Sequence, residues 1–338
     1  MSQKIKVAIN GFGRIGRAAF KAAQNQKNLT IVAINDLAPA TTLLHLLNYD
    51  SVYGRLDPAL RLTGGKLVIG DNATVFLAEK EPVKLPWKAL GVDVVLECTG
   101  RFRDLKNASE HLKAGAKKVI ISAPGEGDIK TFVLGVNADS YKGEAVINNA
   151  SCTTNCAAPV MSVLDKAFGI EKALLSTIHS YTADQALVDG PHQDLRRARS
   201  AALNIIPTST GAAIAVTETI KNLTGKFDGV SFRVPTPVGS LCDITLLLKK
   251  KTNVKDINQA FVNAAKSKAL KDILQATNEQ LVSTDIVGNP HSAIVDLSLT
   301  QVIGGNLVKV IAWYDNEWAY SNRLIELASK IGNFRKKN

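Results

Sequence analysis

The sequence has 338 residues, a formal net charge of +11 and a pI near 9.4, and 46% of its residues are hydrophobic. It has no apolar run near the ~20 residues of a membrane span, no secretory signal and too few cysteines for a disulfide framework, so we expect a cytoplasmic protein. A chain of this length is long for one hydrophobic core and predicts two domains. The basic residues are scattered as on a solvated surface, apart from short runs at 249–251 and 335–337.

The first predicted elements are a strand, a glycine-rich turn and a helix. The strand KIKVAIN runs directly into GFGRIGR, and the helix AAFKAAQNQ follows. Gly11, Gly13 and Gly16 thus form a G-x-G-x-x-G pattern at a strand-to-helix turn. There backbone N–H groups can approach a pyrophosphate, and the helix N-terminus favours its negative charge. The pattern alone is weak, but this context predicts a dinucleotide site.

The second strand, LTIVAIND, ends at Asp36, where a Rossmann fold places the acid that binds the ribose. A carboxylate at this position accepts from the ribose 2′-hydroxyl and repels a 2′-phosphate. The next residue, Leu37, offers no positive charge to such a phosphate. NAD is therefore favoured over NADP. The alternative is that Asp36 only caps a loop.

The rest of the first half alternates between short strands and helical segments. KLVIG and ATVFLAEK predict a β excursion, DLKNASEHLKAG predicts a helix, and VDVVLECTG, KKVIISAP and EAVINNA predict buried strands. This order is typical of an α/β Rossmann domain over residues 1–150. Thr99 and Ser122 would line the cofactor crevice, because ligands bind at the carboxyl ends of parallel strands. Cys98, His45 and His111 are interpreted as structural residues.

The second half has longer strands, which predict an α+β domain with a mixed or antiparallel sheet. NCAAPVMSVLDKAFG predicts a helix with Gly169 near its end and a local adjustment at Pro159. EKALLSTIHSY and VSFRVPTPVGSLCDITLLLKK are interpreted as long strands, and AIVDLSLTQVI and LVKVIAWYD as a hairpin. NVKDINQAFVNAAKS and NEWAYSNRLIELASKIG are predicted helices. The segment 182–210 has little periodicity, which is typical of a functional or interface segment.

The string ASCTTNC at 150–156 concentrates cysteines and hydroxyl residues. A zinc site would need a second Cys/His pair, which the sequence lacks, and a disulfide between Cys152 and Cys156 would be strained within one helix. A nucleophile is the more attractive reading. If the helix starts here, Cys152 lies in its first turn, where we expect the helix dipole to lower the thiol pKa. Of five histidines, His179 at a strand end is the best candidate for a base, although an ordinary hydrogen-bonded histidine remains the alternative.

Taken together, these motifs resemble phosphorylating glyceraldehyde-3-phosphate dehydrogenases. INGFGRIGR, ASCTTNC, NIIPTSTGAA, SFRVPTPVGS and WYDNEWAYSNR match that family in order and spacing over nearly the whole chain. Ala319 stands where the family commonly has glycine. The resemblance implies a glycolytic or gluconeogenic enzyme that uses NAD and no metal. It converts D-glyceraldehyde 3-phosphate and inorganic phosphate to 1,3-bisphosphoglycerate through a cysteine hemithioacetal and a thioester.

The resemblance also assigns roles to individual residues. Cys152 would be the nucleophile and His179 its base. Thr182 and Arg233 would bind the phosphate of the substrate, and the attacking inorganic phosphate would be bound by Ser151, Thr153, Arg197, Thr210 and Gly211. Asn316 and Tyr320 would lie at the nicotinamide, and Phe12, Arg14 and Ile15 would contact the pyrophosphate within the glycine motif.

The family also implies domain boundaries and partners. The NAD-binding domain over 1–150 would be completed by the helix at 316–338, and the catalytic domain would span 151–315. The segment 182–210 would be a loop that borders a neighbouring subunit's cofactor in a homotetramer, and Pro191, like Leu37, is typical of NAD-preferring members. The nearest alternative is erythrose-4-phosphate dehydrogenase. A nucleic-acid-binding or adhesion protein is the other, motivated by the basic charge but supported by no nucleic-acid motif.

Overall fold

The computed structural model describes residues 4–69 and 72–334, and it divides into two compact units. The first contains the described chain up to Phe132, residues 140–150 and the chain from Ser321 onward. The second contains Val133–Asp139 and Ser151–Tyr320. The basic run at 335–337 lies outside the described residues. The division into a NAD-binding and a catalytic domain at residue 150 stays a prediction.

The first unit is built on one large sheet and a small hairpin. Its strands are β1 (Ile5–Asn10), β2 (Leu29–Asn35), β3 (Tyr49–Asp50), β4 (Gly54–Arg55), β5 (Leu62–Thr63), β6 (Lys66–Ile69), β7 (Asn72–Leu77), β8 (Val94–Glu97), β9 (Lys118–Ile121) and β10 (Val146–Asn148). The sheet has the order β10–β9–β8–β1–β2–β7–β6–β5, and β3 pairs with β4 separately. From β10 to β7 all pairs are parallel, whereas β6 and β5 are antiparallel, as the predicted β excursion requires.

The helices of this unit are α1 (Arg14–Ala23), α2 (Ala40–Asn48), α3 (Trp87–Leu90), α4 (Leu105–Ala108) and α5 (Glu110–Lys113). Helix α1 begins directly after Gly13, contains Gly16 in its first turn and buries an alanine-rich face with Phe20. The helix predicted over DLKNASEHLKAG is two short helices, α4 and α5, that meet at Ser109. Because β1 pairs with β2 on one side and β8 on the other, the strand order reverses beside β1. Ligands of doubly wound sheets bind at this kind of position.

The second unit contains a seven-stranded mixed sheet. Its strands are β11 (Ile170–Ser180), β12 (Ile206–Ser209), β13 (Phe227–Val234), β14 (Ser240–Leu248), β15 (Leu274–Thr277), β16 (Ala293–Ile303) and β17 (Leu307–Tyr314), in the order β12–β13–β11–β14–β17–β16–β15. The predicted long strand at 230–250 is in fact two strands that lie on opposite sides of β11, parallel to it in β13 and antiparallel in β14. The turn that separates them needs Gly239, whose φ is +95°. The hairpin at 304–306 is confirmed.

The helices of the second unit are α6 (Cys152–Phe168), α7 (Ala212–Thr219) and α8 (Val254–Ala265). Helix α6 is almost entirely buried, contains Pro159 and is followed by Gly169 with φ +70°. The irregular segment is shorter than predicted. Residues 181–205 form no helix or strand, but Ile206–Ser209 pair with β13 as an edge strand, where Pro207 is tolerated.

The last helix, α9 (Trp318–Gly332), belongs from Ser321 onward to the first unit. There Asn28 donates to Ser329 at 2.6 Å, and a Cβ atom on Gly332 would meet Ile5 at 2.7 Å, so the helix packs closely on β1. Ala319 is buried in a helical position and therefore needs no glycine. Among the described helices, none is long and apolar enough to span a bilayer.

Candidate active site

A cavity of about 660 Å³ lies in the first unit at the carboxyl ends of β1 and β8. Predicted cofactor residues that line it are Gly11, Gly13, Asp36 and Thr99, and Leu37 and Cys98 line it as well. The cavity thus occupies the place where the strand order reverses, as the sequence predicts.

The three glycines of the motif have different surroundings. Gly11 has φ +91°, and a Cβ there would lie 2.7 Å from the backbone of Cys98 and Thr99. A Cβ on Gly16 would lie 2.2 Å from the carbonyl oxygen of Gly11, so both positions exclude side chains. Gly13 differs, since a Cβ there would meet nothing within 4 Å. Gly11 and Gly16 shape the turn, whereas Gly13 leaves open space for a group that approaches the backbone, which fits a dinucleotide.

Asp36 is held in place by backbone donors. Its Oδ2 accepts from the N–H of Phe12 at 2.7 Å, and its Oδ1 accepts from the N–H of Ala38 at 2.9 Å. The carboxylate therefore ties the end of β2 to the glycine turn while it lines the cavity. Phe12 itself does not line the cavity, since its ring is fully buried in edge-to-face contacts with Phe20 and Phe76.

Glu97 is a buried carboxylate beneath the cavity that the sequence reading missed. Its Oε1 accepts from the N–H and the hydroxyl of Thr99, and its Oε2 accepts from Asn10 at 2.6 Å. The indole of Trp87 donates to Nδ1 of His111, so Nε2 of His111 carries the proton and donates to Glu97 at 3.0 Å. The sequence does contain an indication of this residue, since Glu97 is the one acid in an otherwise apolar strand. A buried charge requires partners, so such an acid predicts a polar network.

The other predicted cofactor residues do not line the cavity. Arg14 donates to Asp50 at 3.1 Å and Ile15 follows it on the first turn of α1. Ser122 lies after β9, where its hydroxyl lowers the pKa of Cys98, although burial dominates and raises that pKa to about 12. Asn316 and Tyr320 belong to the second unit and are both buried. The Oδ1 of Asn316 accepts from the N–H of Gly239 at 3.2 Å and from the hydroxyl of Ser240 at 3.0 Å.

Cys152 is the first residue of α6. Ser151 caps this helix, because its hydroxyl accepts from the N–H of Thr154 at 3.1 Å. Ala150, immediately before the cap, has φ +53°, an uncommon conformation for a residue with a Cβ. The predicted placement of Cys152 in the first turn is confirmed.

His179 lies beside Cys152. Its Nε2 is 3.4 Å from the sulfur, and its Nδ1 is 2.7 Å from the carbonyl oxygen of Ser180. Nη1 of Arg233 also lies 3.1 Å from Nδ1, but its two hydrogens have acceptors in Thr182 and Ser180. Because the carbonyl of Ser180 only accepts, we assign the proton to Nδ1, and the lone pair of Nε2 then faces the thiol. The ring lies at the end of β11 and is almost fully buried. Nucleophile and base thus have the geometry that covalent catalysis requires.

The predicted lowering of the thiol pKa is wrong in its net direction. Burial raises the pKa of Cys152 to about 11, although Arg233 and the N–H and hydroxyl of Thr153 lower it. Burial also lowers the pKa of His179 to about 3, and the positive charge of Arg233 adds to this effect. Both shifts favour a neutral thiol beside a neutral imidazole. The helix start does not overcome desolvation, which is a property of the tertiary structure.

Two of the predicted phosphate ligands lie next to this pair. The Nη1 of Arg233 donates to the hydroxyl of Thr182 at 2.8 Å and to the carbonyl of Ser180 at 3.1 Å. The Nε of Arg233 is buried without a hydrogen-bond partner. Buried donors of this kind are rare, and an anion would satisfy it.

Arg197 lies in the same region, although the segment that carries it is irregular. Its Nε donates to Thr208 at 2.9 Å, its Nη2 to the carbonyl of Ser209 at 3.4 Å, and its Nη1 to Asp184. Asp184 also accepts from Thr182. The structure therefore connects Arg233, Thr182 and Arg197 through one carboxylate, which the sequence reading did not identify.

The remaining predicted ligands lie at two helix starts. Thr210 and Gly211 precede α7, and the hydroxyl of Thr210 accepts from the N–H of Ala212 at 3.2 Å. Thr154, in the first turn of α6, contacts the carbonyl of Ala212 at 3.5 Å. The first turns of α6 and α7 are thus adjacent, and helix N-termini favour anions.

The hydroxyl of Thr153 points elsewhere than a phosphate site requires. It is buried and lies 2.8 Å from the hydroxyl of Tyr314, which lies 2.9 Å from Thr177. The backbone N–H of Thr153 forms a hydrogen bond to the sulfur of Cys152 and lowers the pKa of that thiol. Cys156 and Cys242 are fully buried, all four cysteines are free, and no cluster of metal-binding residues occurs within residues 4–69 and 72–334.

Comparisons with known proteins identify the family of the chain. Residues 5–105 match the family model "Glyceraldehyde 3-phosphate dehydrogenase, NAD binding domain", and residues 151–316 match "Glyceraldehyde 3-phosphate dehydrogenase, C-terminal domain". Glyceraldehyde-3-phosphate dehydrogenase of Mycobacterium avium is 53% identical, over 97% of this chain and 98% of the relative. That of Geobacillus stearothermophilus is 50% identical over the same shares. A chloroplastic one of Arabidopsis thaliana is 51% identical, over 98% of this chain and 84% of the relative.

Proposed function

The chain belongs to the glyceraldehyde-3-phosphate dehydrogenase family, and we propose that it oxidises D-glyceraldehyde 3-phosphate with NAD and inorganic phosphate to 1,3-bisphosphoglycerate. The observation that carries this proposal is the 3.4 Å approach of His179 Nε2 to the Cys152 sulfur. No observation favours erythrose 4-phosphate, and the relatives named above are glyceraldehyde-3-phosphate dehydrogenases.

The neutral thiol and imidazole define the first steps. As the sulfur of Cys152 attacks the aldehyde carbon, Nε2 of His179 takes the thiol proton, which then passes to the carbonyl oxygen and gives a hemithioacetal. His179 next removes the hydroxyl proton of that adduct while a hydride leaves its carbon. NAD supplies the acceptor for this hydride. The product is a thioester on Cys152.

The thioester is resolved by inorganic phosphate. A phosphate oxygen forms a bond to the acyl carbon, the carbon–sulfur bond breaks, and the sulfur regains a proton from His179. We assign the phosphate of the substrate to Thr182 and Arg233, because the buried Nε of Arg233 has no partner. We assign the attacking phosphate to Arg197, Ser151, Thr210 and Gly211 and, as the resemblance implies, to Thr153.

The cofactor assignment rests on the cavity of the first unit. Gly11 and Gly13 would hold the pyrophosphate, and Asp36 would bind the ribose. Thr99 and Ser122 would line the cofactor crevice at the ends of their strands. Arg14 and Ile15 would contact the pyrophosphate at the start of α1. Asn316 and Tyr320 would contact the nicotinamide. Leu37 is exposed and uncharged, which supports NAD over NADP.

We also propose that the protein is a cytoplasmic homotetramer. Five large apolar side chains within residues 187–205 are more than two-thirds exposed, and an apolar patch of this kind is typical of an interface. They are Leu187, Val188, Leu195, Leu203 and Ile205. The four free cysteines agree with a reducing compartment. Sedimentation of the purified chain tests the assembly.

The activity is tested by NADH production from glyceraldehyde 3-phosphate, with phosphate omitted as the control. We expect sustained turnover only with phosphate, because without it the thioester accumulates. Faster turnover on erythrose 4-phosphate would overturn the assignment of the substrate.

A further inference from the structure

Asp184 accepts hydrogen bonds from two side chains that the proposed function assigns to phosphate binding. Its Oδ1 accepts from the hydroxyl of Thr182, and its Oδ2 accepts from Nη1 of Arg197 at 2.5 Å. Thr182 is assigned to the phosphate of the substrate, and Arg197 to the inorganic phosphate. One carboxylate therefore contacts a ligand of each anion.

The charges around Asp184 resemble those around a bound anion. Arg233 donates to Thr182, which in turn donates to Asp184, so the carboxylate stands between two guanidinium groups. Burial lowers the pKa of Arg233, Asp184 opposes this shift, and the positive charge of Arg197 adds to it. Burial raises the pKa of Asp184, but the hydrogen bond from Thr182 and the charges of the two arginines outweigh this effect and lower the pKa below its ordinary value. The carboxyl group is therefore ionised at neutral pH.

The contacts of Arg197 differ in how easily an incoming anion can replace them. Thr208, which accepts from Nε, is buried in β12, and the acceptor for Nη2 is the backbone of Ser209. The side chain of Asp184 is 45% exposed, compared with 20% for Arg197. The bonds to Asp184 and to Ser209 are both exposed, but the acceptor for Nη2 is a backbone carbonyl, whereas Asp184 is a side chain that can turn away. An anion can therefore replace Asp184 while the other two bonds hold the guanidinium in position.

We propose that Asp184 is an internal anion that competes with phosphate for Thr182 and Arg197 and so determines phosphate affinity. In the free protein it balances one of the two positive charges, while Asp194 lies 3.5 Å from Nε of Arg197, and phosphate must displace Asp184 to bind. The carboxylate then weakens phosphate binding rather than supporting it. This inference rests on the proposed function, since the phosphate ligands are themselves assigned there.

Equilibrium binding of inorganic phosphate to the intact protein, measured by calorimetry at low ionic strength, tests the inference. We expect Asp184→Asn, which keeps the shape and removes the charge, to bind phosphate roughly 3- to 10-fold more tightly. Asp189→Asn is the matched control, because Asp189 lies in the same segment and pairs with Arg199. It removes the same charge and should change the affinity less than twofold. Unchanged or weaker binding by Asp184→Asn would overturn the inference and make Asp184 a residue that orients Arg197.

A second comparison separates this inference from the proposed function. Arg197→Gln should lose phosphate binding if the assigned site is correct. If it does, while Asp184→Asn binds like the wild type, the phosphate site stands and the internal anion is refuted. If Arg197→Gln binds phosphate normally, the assignment of inorganic phosphate to Arg197 and the competition by Asp184 are both wrong. Asp184→Ala serves as a second variant with the same expected direction, and thermal unfolding checks that each variant is folded.

Discussion

The imidazole of His179 bridges a backbone carbonyl and the sulfur of Cys152. Its Nδ1 donates to the carbonyl of Ser180 at 2.7 Å, and its Nε2 lies 3.4 Å from the sulfur. With the proton assigned to Nδ1, which also lies 3.1 Å from Nη1 of Arg233, the lone pair of Nε2 faces the sulfur before any ligand binds.

Replacing Cys152 by serine should abolish dehydrogenase turnover and leave NAD binding intact. The hydroxyl is a far weaker nucleophile than a thiol, and the cofactor cavity lies in the first unit. Steady-state turnover and fluorescence titration with NAD are the two measurements. Cys156→Ser is the control, because that thiol is fully buried one helical turn later. Appreciable turnover in Cys152→Ser would refute covalent catalysis.

Gly13→Ala should weaken NAD binding roughly 10-fold or more without lowering stability. The added methyl group meets no protein atom within 4 Å, and Gly13 has φ −70°, so only a bound ligand would be crowded. Gly16→Ala is the contrast, because its methyl group would lie 2.2 Å from the carbonyl of Gly11 and should cost about 1–3 kcal/mol of stability. Normal NAD affinity in Gly13→Ala would exclude close approach of the cofactor to this turn.

Asp36→Asn should reduce the preference for NAD over NADP by about 10-fold in kcat/KM, because it removes the charge that repels a 2′-phosphate. The amide oxygen can still accept from Phe12 or Ala38, so the turn is retained. Asp93→Asn, which changes a charge that pairs with Lys117 in the same unit, should leave the preference unchanged. Equal efficiency of the wild type with both cofactors would contradict the assignment.

The stability of the folded chain should fall in acid because of His179. The pKa of this group is about 6.5 when unfolded and about 3 when folded, so below 6.5 the unfolded chain binds the extra proton. Stability is lost as the pH falls through this window. Between pH 7 and 5 the loss from this group is about 2 kcal/mol, and it should be absent in His179→Asn. Urea unfolding of both proteins at these pH values measures it. An equal loss in both would show that folding does not lower the pKa of His179.

The sequence was sufficient for elements whose local chemistry decides their form. The glycine turn and the hairpin at 304–306 both depend on neighbouring residues. By contrast, the break near Gly239 was overlooked because the apolar pattern continues on both sides of it. Strands β13 and β14, before and after this break, pair with opposite edges of β11. Only tertiary pairing decides that arrangement.

The site shows the same division. Residue type and resemblance were enough to predict Cys152 and His179 as catalytic residues. They could not predict the distance between the two side chains or their protonation, because burial depends on the tertiary structure. Glu97 was missed because its partners come from three separate segments. Asp184 was missed because a segment without periodicity gives no indication of where a side chain points.

His179 and Arg233 are directly paired positions on the parallel strands β11 and β13. Their backbones are therefore held at the spacing of neighbouring strands, about 4.8 Å. Insertions in the segment between β11 and β12 leave this spacing intact. A single residue inserted or deleted within β13 would shift the pairing and turn Arg233 to the opposite face of the sheet. Engineers who alter the substrate range of this enzyme therefore have almost no freedom in the lengths of these two strands.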